Sequence, residues 1–318
     1  MKTTVGIIGL GKMGGNLALQ AIEKGYTIIG MSKHHKQDLE QQHLVQVKNA
    51  KDLVTQLSSP RIVLLLLPSG KTVDEMIEEI VPLLNAGDVL ADCGNSYWGD
   101  SIRRYNRIKD SGIYYIDCGT SGGIGGARNG ACFMIGGDAE GGKLIEPILK
   151  DLAFPGGYVH AGKAGAGHHV KLVHNGIEFG MLQAIGESMN LLVKYGEELD
   201  VKALLSCWEN GSVIRSWLVQ LMREQLEQKD LSAVPSFIED TGEVNWLVTD
   251  AMKMEVSIPV IAQSVMQLIA SRDNENSWAK AIAIMRHGFG GHPFGEDDHI
   301  KKERAEGQIE GFYINDKN

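Results

Sequence analysis

The stretch TTVGIIGLGKMGGNLALQAIEKG, residues 3–25, decides how the rest of the chain is read. It opens on an apolar run of strand length, passes through Gly9, Gly11 and Gly14 spaced G-x-G-x-x-G, and leads into the helix-forming LALQAIEKG. In this setting the first glycine permits a tight turn and the second lets backbone approach a pyrophosphate. The third lets the helix pack on the strand, and the positive helix end favours an anion. Strand, loop and helix together predict a dinucleotide site made by Gly9, Leu10, Gly11, Lys12, Met13 and Gly14. The plain alternative is a glycine turn that binds nothing.

Outward from this unit, YTIIGM (26–31), RIVLLLL (61–67), DVLADCG (88–94), YYIDCG (114–119) and CFMIGG (132–137) follow one another, separated by polar segments of helix length. Apolar runs so spaced are expected to be buried parallel strands with crossover helices, the doubly wound α/β arrangement. The glycine-rich FPGGYVHAGKAGAGHH (154–169) breaks the pattern, and from 168 to 198 the apolar spacing is helical. The expected fold is α/β: an N-terminal Rossmann-type doubly wound sheet over 1–162, then an all-α domain over 163–318.

After the second strand comes Ser32-Lys33-His34-His35-Lys36, with no carboxylate before Asp38. A domain selective for NAD places Asp or Glu there on the ribose hydroxyls. A hydroxyl and lysines suit a 2′-phosphate better, so NADP is favoured through Ser32 and Lys33, with NAD still possible; solvated loop charges are the alternative.

Composition narrows the field. The 318 residues allow two domains of about 150 each. A net charge of -9 argues against a nucleic-acid groove or a membrane surface as partner, and an anionic substrate would need a local basic pocket. Cys93, Cys118, Cys132 and Cys207 form no C-x-x-C pair and are expected to be buried free thiols in a reducing compartment. The N-terminus lacks the pattern of a signal peptide, and the longest aliphatic run, 62–67, is too short to cross a bilayer. A cytoplasmic protein is expected.

In GAGHHVKLVHNGIEFG (165–180), Lys171, His174, Asn175 and Glu178 recur at helical spacing beside an apolar stripe of Val170, Val173, Ile177 and Met181. One helix face would carry a base, an acid and two hydrogen-bonding groups. A solvated polar face is the alternative.

These residues resemble 6-phosphogluconate dehydrogenases, particularly the shorter bacterial type, within the β-hydroxyacid dehydrogenase superfamily. The likeness covers most of the chain and rests on GLGKMGGNL (9–17), DCGNSYWGDSIRR (92–104), TSGGIGGARNG (120–130), GAGHHVKLVHNGIE (165–178) and RHGFGGH (286–292). It implies oxidation of 6-phospho-D-gluconate, a sugar acid, at C3 and loss of C1 as CO2, giving ribulose 5-phosphate in pentose phosphate and gluconate metabolism. By the same likeness Lys171 takes and returns the C3 hydroxyl proton, Glu178 protonates C1, His174 and Asn175 orient C3, and no metal takes part. Asn95, Ser121, Gly122 and Gly123 hold substrate, with Asn95 also at the cofactor, and Leu67, Pro68 and Ser69 cover the adenosine. Arg286 and His292 clamp the phosphate from the neighbouring subunit, implying a homodimer or higher homo-oligomer with a shared active site.

Two positions depart from the family pattern. Phe179 replaces an expected tyrosine and Asn245, before Trp246, an expected basic residue, while Arg272 and Lys253 are candidate further phosphate ligands. The competing expectations are a β-hydroxyacid dehydrogenase acting without decarboxylation on an unphosphorylated acid, and a non-catalytic dinucleotide-sensing protein.

Overall fold

The computed structural model describes residues 2–195 and 197–306. Its first compact unit begins β1 (Thr4–Ile8), α1 (Lys12–Glu23), β2 (Thr27–Met31), α2 (Gln37–Glu40), β3 (Val45–Val47), α3 (Ala50–Thr55), β4 (Ile62–Leu65) and α4 (Lys71–Ile80). It goes on through β5 (Val89–Asp92), α5 (Trp98–Ile108), β6 (Tyr114–Ser121), α6 (Gly123–Asn129), β7 (Ala131–Gly137), α7 (Ala139–Leu152) and β8 (Ala153–Gly162) into α8 (Ala166–Val193). The two compact units divide between Asn175 and Gly176, inside α8.

The strands form one sheet in the order β3-β2-β1-β4-β5-β6-β7-β8. Strand order reverses between β1 and β4, and the crevice at the carboxyl end of such a switch point is where doubly wound sheets bind ligands. The Gly9 loop leaves β1 at that end. Alternation along the strands feeds two cores, one on each face. Val5, Ile7, Ile62 and Leu64 meet Leu17, Ala18 and Ala21 of α1 with Ile145, Ile148 and Leu149 of α7. Ile8, Val63 and Leu65 meet Leu53 of α3, Val73 and Ile77 of α4 and Ile108 of α5.

The sheet corrects the expectation for CFMIGG. β7 pairs antiparallel with β6, because the connection through α6 is too short for the dozen or more residues that a parallel crossover needs. Two strands were not foreseen: β3 is only Val45–Val47, and β8 lies within the glycine-rich segment read as a boundary. β8 is an edge strand, where Pro155 is tolerated for want of a ladder partner on its outer side. The helix expected over 168–198 runs Ala166–Val193.

Beyond α8 the second unit is helical: α9 (Val201–Glu209), α10 (Trp217–Gln228), α11 (Glu243–Lys253), α12 (Pro259–Ala270), α13 (Ser277–Gly290) and α14 (Asp298–Glu306). Met189, Leu205 and Val219 make a small core. Of the cysteines, Cys93 and Cys118 are buried as expected, but Cys132 is half-buried and Cys207 exposed, since α9 turns that side outward; all are free. Among the described residues no helix is long and apolar enough to cross a membrane.

Candidate active site

The site in the first unit is built around the start of α8. Asp117, fully buried in β6, accepts hydrogen bonds from the backbone N–H of Gly165 at 2.7 Å and of His168 at 2.8 Å, so a strand carboxylate caps the helix that carries Lys171. The helix must come very close to do this. A Cβ on Gly119 would lie 2.4 Å from Lys171 Cβ, and one on Gly167 would lie 2.5 Å from the carbonyl oxygens of Asp117 and Met134. Glycine at both positions is what lets α8 seat against β6 and β7. His168, also buried, pairs through Nδ1 with Ser101 Oγ of α5 at 2.7 Å.

One turn on, Lys171 Nζ donates to Asn175 Oδ1 at 2.6 Å and lies 3.4 Å from His174 Nδ1. His174 Nε2 lies 3.1 Å from Ser121 Oγ, and Asn175 Nδ2 donates to Asn95 Oδ1 at 3.4 Å. An imidazole that accepts at Nδ1 carries its proton on Nε2, facing Ser121; the other tautomer donates from Nδ1 toward Asn175. Lys171 and Asn175 are buried, His174 half-buried and Asn95 exposed. The fold thus collects Lys171, His174, Asn175, Asn95 and Ser121 from three elements into one hydrogen-bonded group. Gly122 and Gly123 follow Ser121 directly, as the N-cap and first residue of α6.

The glycine loop has the shape a dinucleotide requires. Gly9 has φ +101°, and a Cβ there would lie 2.3 Å from Leu66 O; one on Gly14 would meet Gly9 O at 1.9 Å. By contrast a Cβ on Gly11 meets nothing within 4 Å, so the loop faces open space at the one glycine whose purpose is ligand approach. Gly11 is also the N-cap of α1, with no side-chain cap and no acidic residue in the first turn, which leaves the N–H groups of the Lys12–Met13–Gly14 turn for an anion. These residues fit a pyrophosphate. At the end of β2 Ser32 Oγ donates to His34 O at 2.6 Å, and Lys33 is exposed. Leu67, Pro68 and Ser69 form the turn between β4 and α4, closed by Gly70.

The remaining predicted residues belong to the second unit. Glu178 and Phe179 stand on α8, both half-buried. Asn245 is exposed on α11, which α8 approaches closely: a Cβ on Gly176 would lie 2.4 Å from Leu247 Cδ2. Arg272 is engaged elsewhere, donating to Ile238 O at 2.6 Å and pairing with Asp240 at 2.5 Å. Arg286 and His292 line a cavity of about 290 Å³ together with Lys301 and Arg304.

Residues 4–162 match the model of the NAD binding domain of 6-phosphogluconate dehydrogenase, and residues 167–306 that of the 6-phosphogluconate dehydrogenase C-terminal domain. The chain belongs to the 6-phosphogluconate dehydrogenase family. Within the family it is 40% identical over 292 residues to YqeC of Bacillus subtilis, provisionally named a 6-phosphogluconate dehydrogenase, covering 91% of this chain and 98% of that one. It is 33% identical over 305 residues to the NAD(+)-dependent, decarboxylating 6-phosphogluconate dehydrogenase of Haloferax volcanii, covering 92% and 99%. Among solved structures, 6-phosphogluconate dehydrogenase of Plasmodium falciparum superposes with a TM-score of 0.79 at 26% identity, over 92% of this chain and 66% of that longer one. Like the family it belongs to, this chain is an oxidoreductase with a nicotinamide-dinucleotide domain.

Several family-motif residues that shape the site escaped the sequence reading. Asp92, Ser96 and Arg104 lie in DCGNSYWGDSIRR, and all three are buried. A carboxylate inside an apolar strand, as in VLADCG and YYIDCG, is the signal that marks Asp92 and Asp117, because a buried charge needs built partners. Tyr115 donates to Asp92 at 3.3 Å; burial, with the Asp92 charge beside it, pushes its phenol well up and keeps it a donor.

Proposed function

We propose that the chain oxidises and decarboxylates 6-phospho-D-gluconate to ribulose 5-phosphate and CO2, with residues 1–162 binding the dinucleotide and 163–318 serving substrate binding and dimerisation. The observation that carries this reading is the Lys171–His174–Asn175 group at the mouth of the sheet, with Lys171 and Asn175 buried and the group bonded to Asn95 and Ser121.

A dinucleotide held through the Gly9–Gly14 loop would supply the acceptor for the C3 hydride. Lys171 Nζ takes the C3 hydroxyl proton in that step, held toward the substrate by Asn175 Oδ1. As the C1–C2 bond breaks and CO2 leaves, Lys171 returns its proton to the C3 oxygen, which receives the electron pair as an enediol. Glu178 then delivers a proton to C1 of the five-carbon product as Lys171 takes back the enediol hydroxyl proton, which leaves the ketone. General acid and base help of this kind is worth roughly 10²–10⁴ in rate. Asn95, Ser121 and the Gly122–Gly123 turn hold the carboxylate and hydroxyls. Arg286 and His292, on a pocket that presents Lys301 and Arg304 together with the carboxylates Glu296 and Asp297, are the groups that take the phosphate in this reading, and they serve the partner's site in a homodimer.

NADP is the favoured cofactor. Ser32 uses its proton on His34 O, so Lys33 supplies the charge at the end of β2, and no carboxylate stands there to repel a 2′-phosphate. The setting proposed is cytoplasmic, in pentose phosphate and gluconate metabolism.

A spectrophotometric assay at about 340 nm with 6-phosphogluconate, run with NADP and with NAD alongside CO2 detection, tests the reading. Reduced cofactor and CO2 in equal amounts are expected, faster with NADP. No reduction with either cofactor ends the assignment, and a strong preference for NAD overturns the role given to Lys33. A second reading, an unphosphorylated 3-hydroxy acid as substrate, draws support from Phe179, Asn245 and the engagement of Arg272 by Asp240. Turnover of gluconate at the rate of 6-phosphogluconate would favour it.

A further inference from the structure

We propose that Arg104 is a positioning residue that locks the turn at 67–70 to the turn at 94–96, and so sets Asn95 against the Lys171 group. The role of Asn95 proposed above is a premise.

Arg104 sits on α5 and is fully buried. Its guanidinium reaches acceptors on both turns. Nε donates to Asp74 Oδ1 at 2.8 Å in the first turn of α4, and Nη2 donates to Gly70 O at 3.0 Å, where the 67–70 turn ends. Nη1 donates to Asp92 Oδ2 at 3.0 Å and to Ser96 Oγ at 3.3 Å. Asp92 completes the second turn: its Oδ2 accepts from Ser96 Oγ at 2.8 Å and its Oδ1 from Gly94 N at 3.1 Å. Asn95 lies between Gly94 and Ser96, so both neighbours of the residue that meets Asn175 are tied to the Asp92–Arg104 pair. The turns also touch directly, since a Cβ on Gly94 would lie 2.7 Å from Leu67 O.

A purely structural role is a poor account of this arrangement. Apolar side chains would hold α5 to the sheet at least as well, because desolvating a guanidinium and a carboxylate costs much of what their attraction returns. The pair lies at the carboxyl ends of β4 and β5, the ligand-binding end of the sheet, and it joins two loops that strand pairing leaves free. Arg61 and Asp88, paired at 2.9 Å at the opposite end of the same strands, tie the strand entries and the Asn85 turn, away from the ligand-binding end. Arg103, the next residue, pairs with Asp74 and Asp100 at the surface and touches neither Asp92 nor Ser96. Only a planar fork addresses several acceptors in different directions at once; a lysine ammonium keeps the charge and loses the geometry.

The test is a double-variant cycle of Arg104→Lys with Asn95→Ala, read by kcat with 6-phosphogluconate and by the NADP dissociation constant without substrate. R104K is expected to melt cooperatively, to lose about 10- to 100-fold in kcat and to bind NADP several-fold more weakly, the range of coupling between residues of one network. The N95A/R104K enzyme is expected to be no slower than N95A. Wild-type kcat or wild-type NADP affinity in R104K, or losses that multiply with those of N95A, would overturn the proposal. Should R104K fail to fold, Ser96→Ala, which removes the hydroxyl between Arg104 and Asp92, takes its place in the same cycle: losses absorbed by N95A support the proposal, and wild-type behaviour or multiplying losses overturn it. Wild-type enzyme that leaves 6-phosphogluconate untouched would fail the functional reading separately, and NADP titration of R104K still decides this one: an unchanged dissociation constant overturns it.

Discussion

The two compact units solve the burial problem differently. In the first, both faces of one sheet are covered by the chain's own helices, and strand residues such as Val5, Ile7, Leu64 and Leu65 have next to no exposure. In the second, α13 leaves Trp278 64% exposed and Phe289 76% exposed, and Val260 of α12 is equally open. Burying one such side chain is worth roughly 1.5–3 kcal/mol, so leaving several in water is a cost that a helical domain carries only if something covers them. The contrast teaches a division of labour. The first unit holds Lys171 and the side chains bonded to it on a framework that is complete in itself, and the second carries Glu178 and the residues proposed above for the phosphate on a framework that suits the homodimer proposed above.

The sharpest way to break that division is at Lys171. Lys171→Met should lower kcat by about 10²–10⁴ while NADP affinity stays near wild type, because the glycine loop is untouched; steady-state rates and a binding titration decide it. A variant that keeps its rate would move the chemistry out of the first unit. Next in size, Trp278→Asp combined with Phe289→Asp should yield monomers by analytical ultracentrifugation, with activity reduced at least tenfold and NADP binding retained. An intact dimer in that variant would show that these side chains have another purpose. Smaller again, Arg286→Ala should raise KM for 6-phosphogluconate about 10- to 100-fold with a lesser effect on kcat, as loss of a charge-assisted phosphate contact does. An effect on kcat alone would place Arg286 with the reacting groups.

The smallest effect belongs to the first unit's own stability. Burial pulls the Asp74 carboxyl up, but hydrogen bonds and charge from Arg104 and Arg103 outweigh it and hold the group at about 2, below its ordinary value of 3.8. A depressed folded-state value means stability that is present above pH 3.8 and lost as pH falls toward 2. Asp74→Asn should therefore lower the melting temperature slightly at neutral pH and narrow the gap to wild type between those limits. Melting curves that stay parallel down to pH 2 would remove Asp74 from the acid response.

Much of the first unit was legible because its signals are local. The G-x-G-x-x-G spacing, the short apolar runs of β1, β2, β4, β5 and β6, and the helical recurrence of Lys171, His174 and Asn175 all lie within a few residues of what they explain. What escaped was set by distance along the chain. The antiparallel course of β7 depends on connection length as much as on the strand's own composition. β8 carries Pro155 and three glycines between residues 154 and 162, so its pairing with β7 overrides what its sequence favours locally. Arg104 looks like an ordinary charged residue until Asp74, 30 residues away, arrives, and Asp117, though its apolar strand marks it, does not show in sequence that its partner is Gly165, 48 residues on.

What the sequence determined by itself is the class of protein: a Rossmann unit, a helical unit, a family signature and the row of side chains on α8, since periodicity and glycine spacing are properties of neighbouring residues. What only the tertiary structure decided is how those side chains are held. That Asn95 meets Asn175, that Ser121 meets His174, and that one buried guanidinium sits behind two turns depends on β5, β6 and α8 being brought to the same end of the sheet. The physical reason is that burial and hydrogen bonding act through space, and their partners are chosen by strand order, which no single stretch of the chain contains.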